Sequence, residues 1–136
     1  MKTQEFTLQT DREGMYNVTA QVREVIRESG VQSGIAVVYC PHTTAGITIN
    51  ENADPDVRSD MASVLDRLIR EREPYYAHTL EGDDDMPAHA KSTLAGVSLT
   101  IPITAGRLNL GLWQGVYLCE FRNHGGARGI VATVVG

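Results

Sequence analysis

The sequence predicts a single α+β domain, and two observations lead to this prediction. Short apolar or alternating segments, which are typical of strands, recur along the chain beside two long segments of helical periodicity. The second half lacks the regular strand–helix alternation that builds a parallel sheet. The chain has 136 residues, the length of one ordinary domain, so we assign residues 1–136 to it.

The N-terminal part predicts a strand, a helix and a second strand. Residues 3–10 alternate as a half-buried strand does. Residues 17–29 carry an apolar stripe at helical spacing, and Gly30 follows as a C-terminal stop. The apolar run 34–40 is typical of a central strand that is covered on both faces.

The next segment predicts a polar turn, a strand and the longest helix. Residues 42–46 form the turn, and residues 47–51 alternate as a strand. Asp54 and Pro55 are a capping residue and a first-turn proline, so they should open a helix. Its apolar stripe continues for about four turns.

After this helix the pattern predicts a short helix and two strands. Asp85 is expected to cap a helix that runs from residue 87 to about 94. Residues 97–103 and 108–110 then read as strands separated by a turn.

The C-terminal segment predicts two more strands. Gln114 and Gly115 interrupt the pattern as a bulge or bend would. Residues 116–121 and 130–135 are strands, and we expect the glycine-rich segment 123–129 to join them as a hairpin loop.

Composition excludes several classes of partner. A net charge of -5 without any Lys/Arg cluster argues against nucleic acid and against an anionic membrane surface. No apolar run approaches a membrane span, and the start carries no export signal, so we expect a soluble cytoplasmic protein. Cys40 and Cys119 lie far apart in predicted strands, which favours buried reduced thiols over a disulfide.

The histidines are the first candidates for chemistry. His42, His78 and His89 each fall at the end of an element, beside glycine, threonine or carboxylates. Three histidines with an open fourth position would make a zinc centre of the catalytic type. Each histidine taken singly is more often structural, and His124 can be a simple turn residue.

The loop from residue 76 to residue 89 is the second candidate. Its carboxylates Glu81, Asp84 and Asp85 could orient imidazoles or a bound water. A solvated acidic loop is the simpler interpretation, and Asp85 is already explained as a cap. The excess of like charge, however, repels itself unless a cation or a basic partner compensates it.

Four further residues are candidates for holding phosphate. Thr43 and Thr44 offer hydroxyls in the turn after the buried run, and Lys91 and Arg107 are the best-placed cations. A strand-connecting turn explains the threonines equally well, and either cation is ordinarily solvated. A nucleophilic pair of Cys40 and His42 is disfavoured because the apolar run predicts a buried thiol.

Three long motifs, in this order, resemble the YjbQ family, also called UPF0047. They are the segments 42–55, 78–89 and 113–120, and the similarity covers nearly the whole chain. Leu112, Ala90 and Gly129 depart from the family pattern, and the last removes an expected arginine.

The resemblance implies a YjbQ-like domain in which a β-sandwich carries two long helices and a short one, assembled as a homotrimer. It also implies a secondary thiamine-phosphate synthase activity, a transferase reaction that joins a pyrimidine pyrophosphate to a thiazole phosphate. The family's shared site residues match a set in this sequence: His42, His78, His89, Glu81 and Asp84.

The leading hypothesis is a metal-assisted enzyme that acts on a small phosphorylated molecule. Its metal ligands would be His42, His78 and His89, with Glu81, Asp84 and His89 serving catalysis. Histidine ligands favour zinc, whereas pyrophosphate chemistry favours magnesium. The competing hypothesis is a non-catalytic homotrimer that binds a metal or a small anion.

Overall fold

The computed structural model describes residues 1–136 and contains eight strands and three helices. In chain order these are β1 (Lys2–Thr10), β2 (Gly14–Asn17), α1 (Thr19–Ser29), β3 (Ser33–Tyr39), β4 (Ala45–Glu51), α2 (Pro55–Leu68), α3 (Asp85–Ala95), β5 (Ser98–Thr104), β6 (Arg107–Leu108), β7 (Gln114–Glu120) and β8 (Gly126–Val135). None of the helices is both long enough and apolar enough to cross a lipid bilayer.

The strands form two antiparallel sheets. The larger has the order β1-β8-β3-β5-β6, and the smaller has the order β2-β7-β4. All their pairings are antiparallel. The predicted α+β domain with a sandwich-like arrangement of sheets is therefore confirmed.

One apolar core joins the two sheets and α1. Val38 and Ile130 enter it from the larger sheet, Ile47 and Leu118 from the smaller sheet, and Val22 from α1. All five are fully buried. Burying each such side chain contributes about 1.5–3 kcal/mol, so this cluster is a main source of stability.

Two helix ends are as predicted. Gly30 follows α1 in the left-handed region, with φ of 70°, and its N–H donates to the carbonyl of Arg27. Asp54 precedes α2, and its side chain accepts a hydrogen bond of 2.9 Å from the N–H of Asp56. These local signals sufficed because both ends are set by neighbouring residues.

Two strand boundaries differ from the prediction. The short β2 was not expected, because its four residues at 14–17 carry little alternation and its pairing with β7 is long-range. Gln114 and Gly115 do not form a bend but begin β7. Space is limited there, since a Cβ on Gly115 would lie 3.1 Å from Cβ of Asn52 and would push it aside slightly.

The predicted hairpin at residues 123–129 is wrong. β7 belongs to the smaller sheet and β8 to the larger, so the segment between them crosses from one sheet to the other. Gly126 has a positive φ of 82°. Gly125 has a different role, because a Cβ at this position would overlap the carboxylate of Glu120.

β3 is not covered on both faces, contrary to the prediction. Ala36 and Val38 point into the core, whereas Ile35 and Tyr39 on the opposite face are 39% and 44% exposed. A continuous apolar run does not distinguish a strand buried on both faces from one with an uncovered apolar face. The outer face of β3 is therefore apolar and partly exposed.

Candidate functional site

Two histidines and a carboxylate converge at the start of α3. Asp85 and His89 lie one helical turn apart on the same face of α3, and His78 comes from the loop that precedes it. Oδ2 of Asp85 lies 2.6 Å from Nε2 of His78 and 3.1 Å from Nε2 of His89. The two rings meet edge to face, with centroids 5.3 Å apart.

Asp85 is not the helix cap that the sequence suggested. The capping position belongs to Asp84, and no side-chain capping bond forms at this end of α3. The carboxylate of Asp85 instead contacts both imidazoles, and its Oδ1 lies 2.7 Å from Nη1 of Arg122. Asp85 is thus the centre of the cluster.

Arg122 is a central residue of this cluster that sequence reasoning missed. Its Nε donates to Oδ2 of Asp84 at 2.9 Å, and its Nη2 donates to the carbonyl of Glu81 at 3.0 Å. Arg72 pairs similarly with Asp83 at 3.0 Å. The predicted need for a basic partner of the acidic loop was the available signal, and two arginines meet it.

The carboxylates of the cluster are held in their charged form. Burial alone would raise the pKa of Asp85, but the hydrogen bond from His78 and the charge of Arg122 lower it below its usual value. For Asp84, burial is likewise outweighed by hydrogen bonds from Arg122 and from the N–H of Asn123, and its pKa is lowered. Both groups therefore stay negative at neutral pH.

The cluster is open on one side. The side chains of His78 and His89 are 46% and 33% exposed, whereas that of Asp85 is only 6% exposed. The imidazoles therefore cover the carboxylate and present their own surface to solvent. A dissolved ion or small molecule can reach this surface without any movement of the fold.

His42 lies outside this group. Its Nε2 accepts a hydrogen bond of 2.9 Å from the N–H of Gly129, at the side of β8. Burial and the neighbouring charge of Arg128 lower the pKa of His42. The ring is therefore neutral at pH 7, and the lone pair on Nε2 is already engaged.

A second polar network is buried between the sheets, beside His42. Glu120 is fully buried and accepts hydrogen bonds from Arg128 at 2.6 and 2.7 Å and from Thr10 at 2.6 Å. Arg128 also donates to Oγ1 of Thr44 at 2.9 Å. Thr44, a predicted phosphate ligand, is thus engaged inside the protein, while Thr43 is exposed.

The predicted phosphate-binding cations lie in two different places. Lys91 is 4% exposed, and its ammonium donates to Glu13 at 3.0 Å and to Asp66 at 2.6 Å. This charge is therefore already compensated. Arg107 lines a cleft beside α1 instead, and that cleft shares no lining residue with the grooves around His78.

Both cysteines are buried and free, as predicted. Burial raises the pKa of Cys119 to about 12. Burial also raises the pKa of Cys40, although the backbone N–H of His42 and the charge of Arg128 act against it. Neither thiol is a nucleophile at neutral pH, so a Cys–His pair plays no part at this site.

The donor set at His78, Asp85 and His89 fits a divalent transition metal. The three ligand atoms lie within 4.8 Å of one another. Zinc holds nitrogen and oxygen ligands at about 2.0–2.2 Å, which places tetrahedral neighbours roughly 3.3 Å apart. The 3.1 Å contact between His89 and Asp85 is close to this value, and the 2.6 Å contact between His78 and Asp85 would have to lengthen.

Comparison with known proteins finds relatives over nearly the whole chain. The model of the family described as UPF0047 protein YjbQ-like matches residues 4–136. The UPF0047 protein MJ1081 of Methanocaldococcus jannaschii is 50% identical over 110 residues, which are 81% of this chain and 77% of that protein. YjbQ of Salmonella typhimurium is 42% identical over 133 residues, which are 96% of this chain and 94% of that protein.

Solved structures agree with these relatives. The crystal structure of an uncharacterized conserved protein of the YjbQ/UPF0047 family from Clostridium acetobutylicum is 43% identical, with a TM-score of 0.90 and coverage of 97% of this chain and 99% of that one. The hypothetical protein APE1520 of Aeropyrum pernix is 34% identical, with a TM-score of 0.91 and coverage of 100% and 99%. The fold is thus shared along the full length of the chain.

Proposed function

The chain belongs to the UPF0047 family of YjbQ-like proteins, and we propose that it binds a divalent transition metal, zinc in the first place, at His78, Asp85 and His89. One observation carries this proposal: three metal-ligating atoms converge beside solvent. Three protein ligands with a free fourth position are the composition of a catalytic zinc centre.

The surrounding residues support this role. Arg122 contacts Oδ1 of Asp85 while the imidazoles contact Oδ2, and α3 fixes His89 relative to this carboxylate. A bound metal would supply a Lewis acid that stabilises negative charge on a phosphorylated substrate. A metal binds only unprotonated ring nitrogens, so protons compete with the metal and affinity should fall as the pH drops.

The proposed reaction is the one that the family resemblance implies, the joining of a pyrimidine pyrophosphate to a thiazole phosphate. Two imidazoles in the donor set favour zinc, whereas an oxygen-rich set would favour magnesium. Glu81 and Thr43 are exposed and remain candidates for contacting substrate. Asp84 acts indirectly in this proposal, because it holds Arg122.

The alternative is a non-catalytic homotrimer that binds a metal or a small anion. The engagement of Lys91 and Thr44 within the protein favours it, since the predicted phosphate ligands are not free. The apolar outer face of β3, with Ile35 and Tyr39 exposed, is a surface that a second copy of the chain would cover. Apolar patches of this kind mark association sites.

The test is metal binding by untagged protein, measured by elemental analysis and calorimetry with zinc. We expect one zinc per chain in the wild type and a loss of affinity of at least about tenfold in Arg122→Gln, which keeps all three ligands but releases Asp85. His89→Ala should lose more, because it removes a ligand. His124→Ala is the matched control, since His124 is exposed and is not one of the three converging ligands.

Thiamine phosphate formation by the same variants separates the two functions. Turnover that depends on zinc and is lost in His89→Ala supports the enzyme. One zinc per chain without turnover supports the binding protein. Equal zinc binding by wild type, His89→Ala and His124→Ala would contradict the site itself.

A further inference from the structure

We propose that the cleft between α1 and the β5–β6 turn binds a small oxyanion with two or more negative charges, such as a phosphate or a diphosphate group. The cleft has a volume of about 950 Å³. Three arginines line it: Arg23 and Arg27 from α1 and Arg107 from β6. This proposal does not depend on the metal site.

The arginines carry more charge than the cleft neutralises. Glu24 is the one acidic residue in the lining, and it pairs with Arg27, whose Nε donates to it at 2.9 Å. Of the three arginine side chains in the lining, only that of Arg27 forms an ion pair within the chain. The cleft therefore holds two uncompensated positive charges in a protein whose net charge is -5.

The backbone holds these charges together at some cost. Arg23 and Arg27 are four residues apart on one helix face, a spacing at which like charges repel, and Glu24 compensates only Arg27. Arg107 is fixed by a tight turn in which Ala105 and Gly106 have φ of 51° and 77°. The N–H of Gly106 donates to the carbonyl of Gln32 at 3.0 Å, which ties this turn to the segment after α1.

The rest of the lining suits a small ligand with a charged group. Ile26 and Leu108 form an apolar floor, being 2% and 8% exposed. Asn17 lies at one end, where its Oδ1 accepts two hydrogen bonds from Thr19, so its Nδ2 donors point away from them and are free. Guanidinium groups bind phosphate oxygens with two parallel hydrogen bonds, which makes this donor set selective for oxyanions.

The experiment is a titration with inorganic pyrophosphate in EDTA, followed by calorimetry and by backbone amide NMR. We expect shifts at Arg23, Gly106 and Arg107, and about tenfold weaker binding in each of Arg23→Gln and Arg107→Gln. Tenfold corresponds to about 1.4 kcal/mol for one lost charge-assisted contact. Arg67→Gln on α2 is the charge-matched control and should bind as the wild type does.

Each other outcome overturns the proposal. If Arg67→Gln weakens binding equally, the effect is general charge attraction and not a site. If His89→Ala abolishes binding in EDTA, the anion sits at the His78–Asp85–His89 cluster instead. No binding of pyrophosphate at millimolar concentration would also refute the site, while leaving the proposed metal centre untouched.

Discussion

The His78–Asp85–His89 cluster and the Glu120–Arg128 network are built from similar parts but differ in access to solvent. Each has a carboxylate that an arginine holds and that further donors approach. Glu120 is fully buried and its partners are enclosed, whereas Asp85 is covered by imidazoles that are themselves exposed.

This difference separates structural from functional polar groups. The donors around Glu120 are all engaged within the protein, because Arg128, Thr10 and the N–H of Arg122 donate hydrogen bonds to it. Around Asp85 the two imidazoles keep one surface free for a ligand. A closed network stabilises a fold, and an open one can exchange a partner.

The largest expected effect is at the closed network. Glu120→Gln should lower the free energy of unfolding by about 3–5 kcal/mol, because Arg128 is left buried without its counter-charge. Urea unfolding at pH 7 measures the change. Asp60→Asn, at an exposed carboxylate of α2, is the control. A loss below about 1 kcal/mol would show that water reaches Arg128.

The corresponding change from carboxylate to amide in the open cluster should lower stability less. We expect Asp85→Asn to lower the free energy of unfolding by about 1–2 kcal/mol, since the partners of Asp85 are exposed and solvent screens their charges. Urea unfolding without metal gives the value, with Asp60→Asn again as the control. If Asp85→Asn lowers the free energy of unfolding as much as Glu120→Gln does, the two regions do not differ in the way proposed.

The smallest effect is a pH dependence at His42, beside the closed network. Its pKa is lowered by burial and by Arg128, so the unfolded chain takes up this proton first as the pH falls below about 6.5. The free energy of unfolding should therefore decrease as the pH falls below about 6.5, by at most about 1.4 kcal/mol per pH unit for one proton. The decrease should stop once the ring in the folded protein is also protonated.

Unfolding measured between pH 7 and pH 5 in wild type and His42→Gln tests this. The glutamine can accept the N–H of Gly129 but does not titrate, so its profile should be flatter. If His42→Gln leaves the slope of stability against pH unchanged, His42 is not the source of this pH dependence.

The features that were predicted correctly from the sequence are set by residues close together along the chain. The stop at Gly30 and the cap at Asp54 are local, and His78 and His89 meet because they flank one loop and the first turns of one helix. The role of Arg122 depends on where β7 ends relative to α3, which no local pattern reveals.

Two other failures have the same origin. The engagement of His42 is a contact between a side chain and the backbone of Gly129, and no residue type at either position signals it. Asp85 looked like a cap because it precedes a proline, yet its side chain is oriented by partners from the preceding loop and from beyond β7. Local rules were overruled where segments distant in sequence meet.

The burial of Cys119 has a practical consequence. A thiol with a pKa of about 12 is ionised at pH 8 in roughly one molecule in ten thousand. A thiol reagent should therefore label Cys119 in the native chain only when α2 and α3 transiently separate from the smaller sheet. The rate at which Cys119 is labelled then measures how often this local opening occurs.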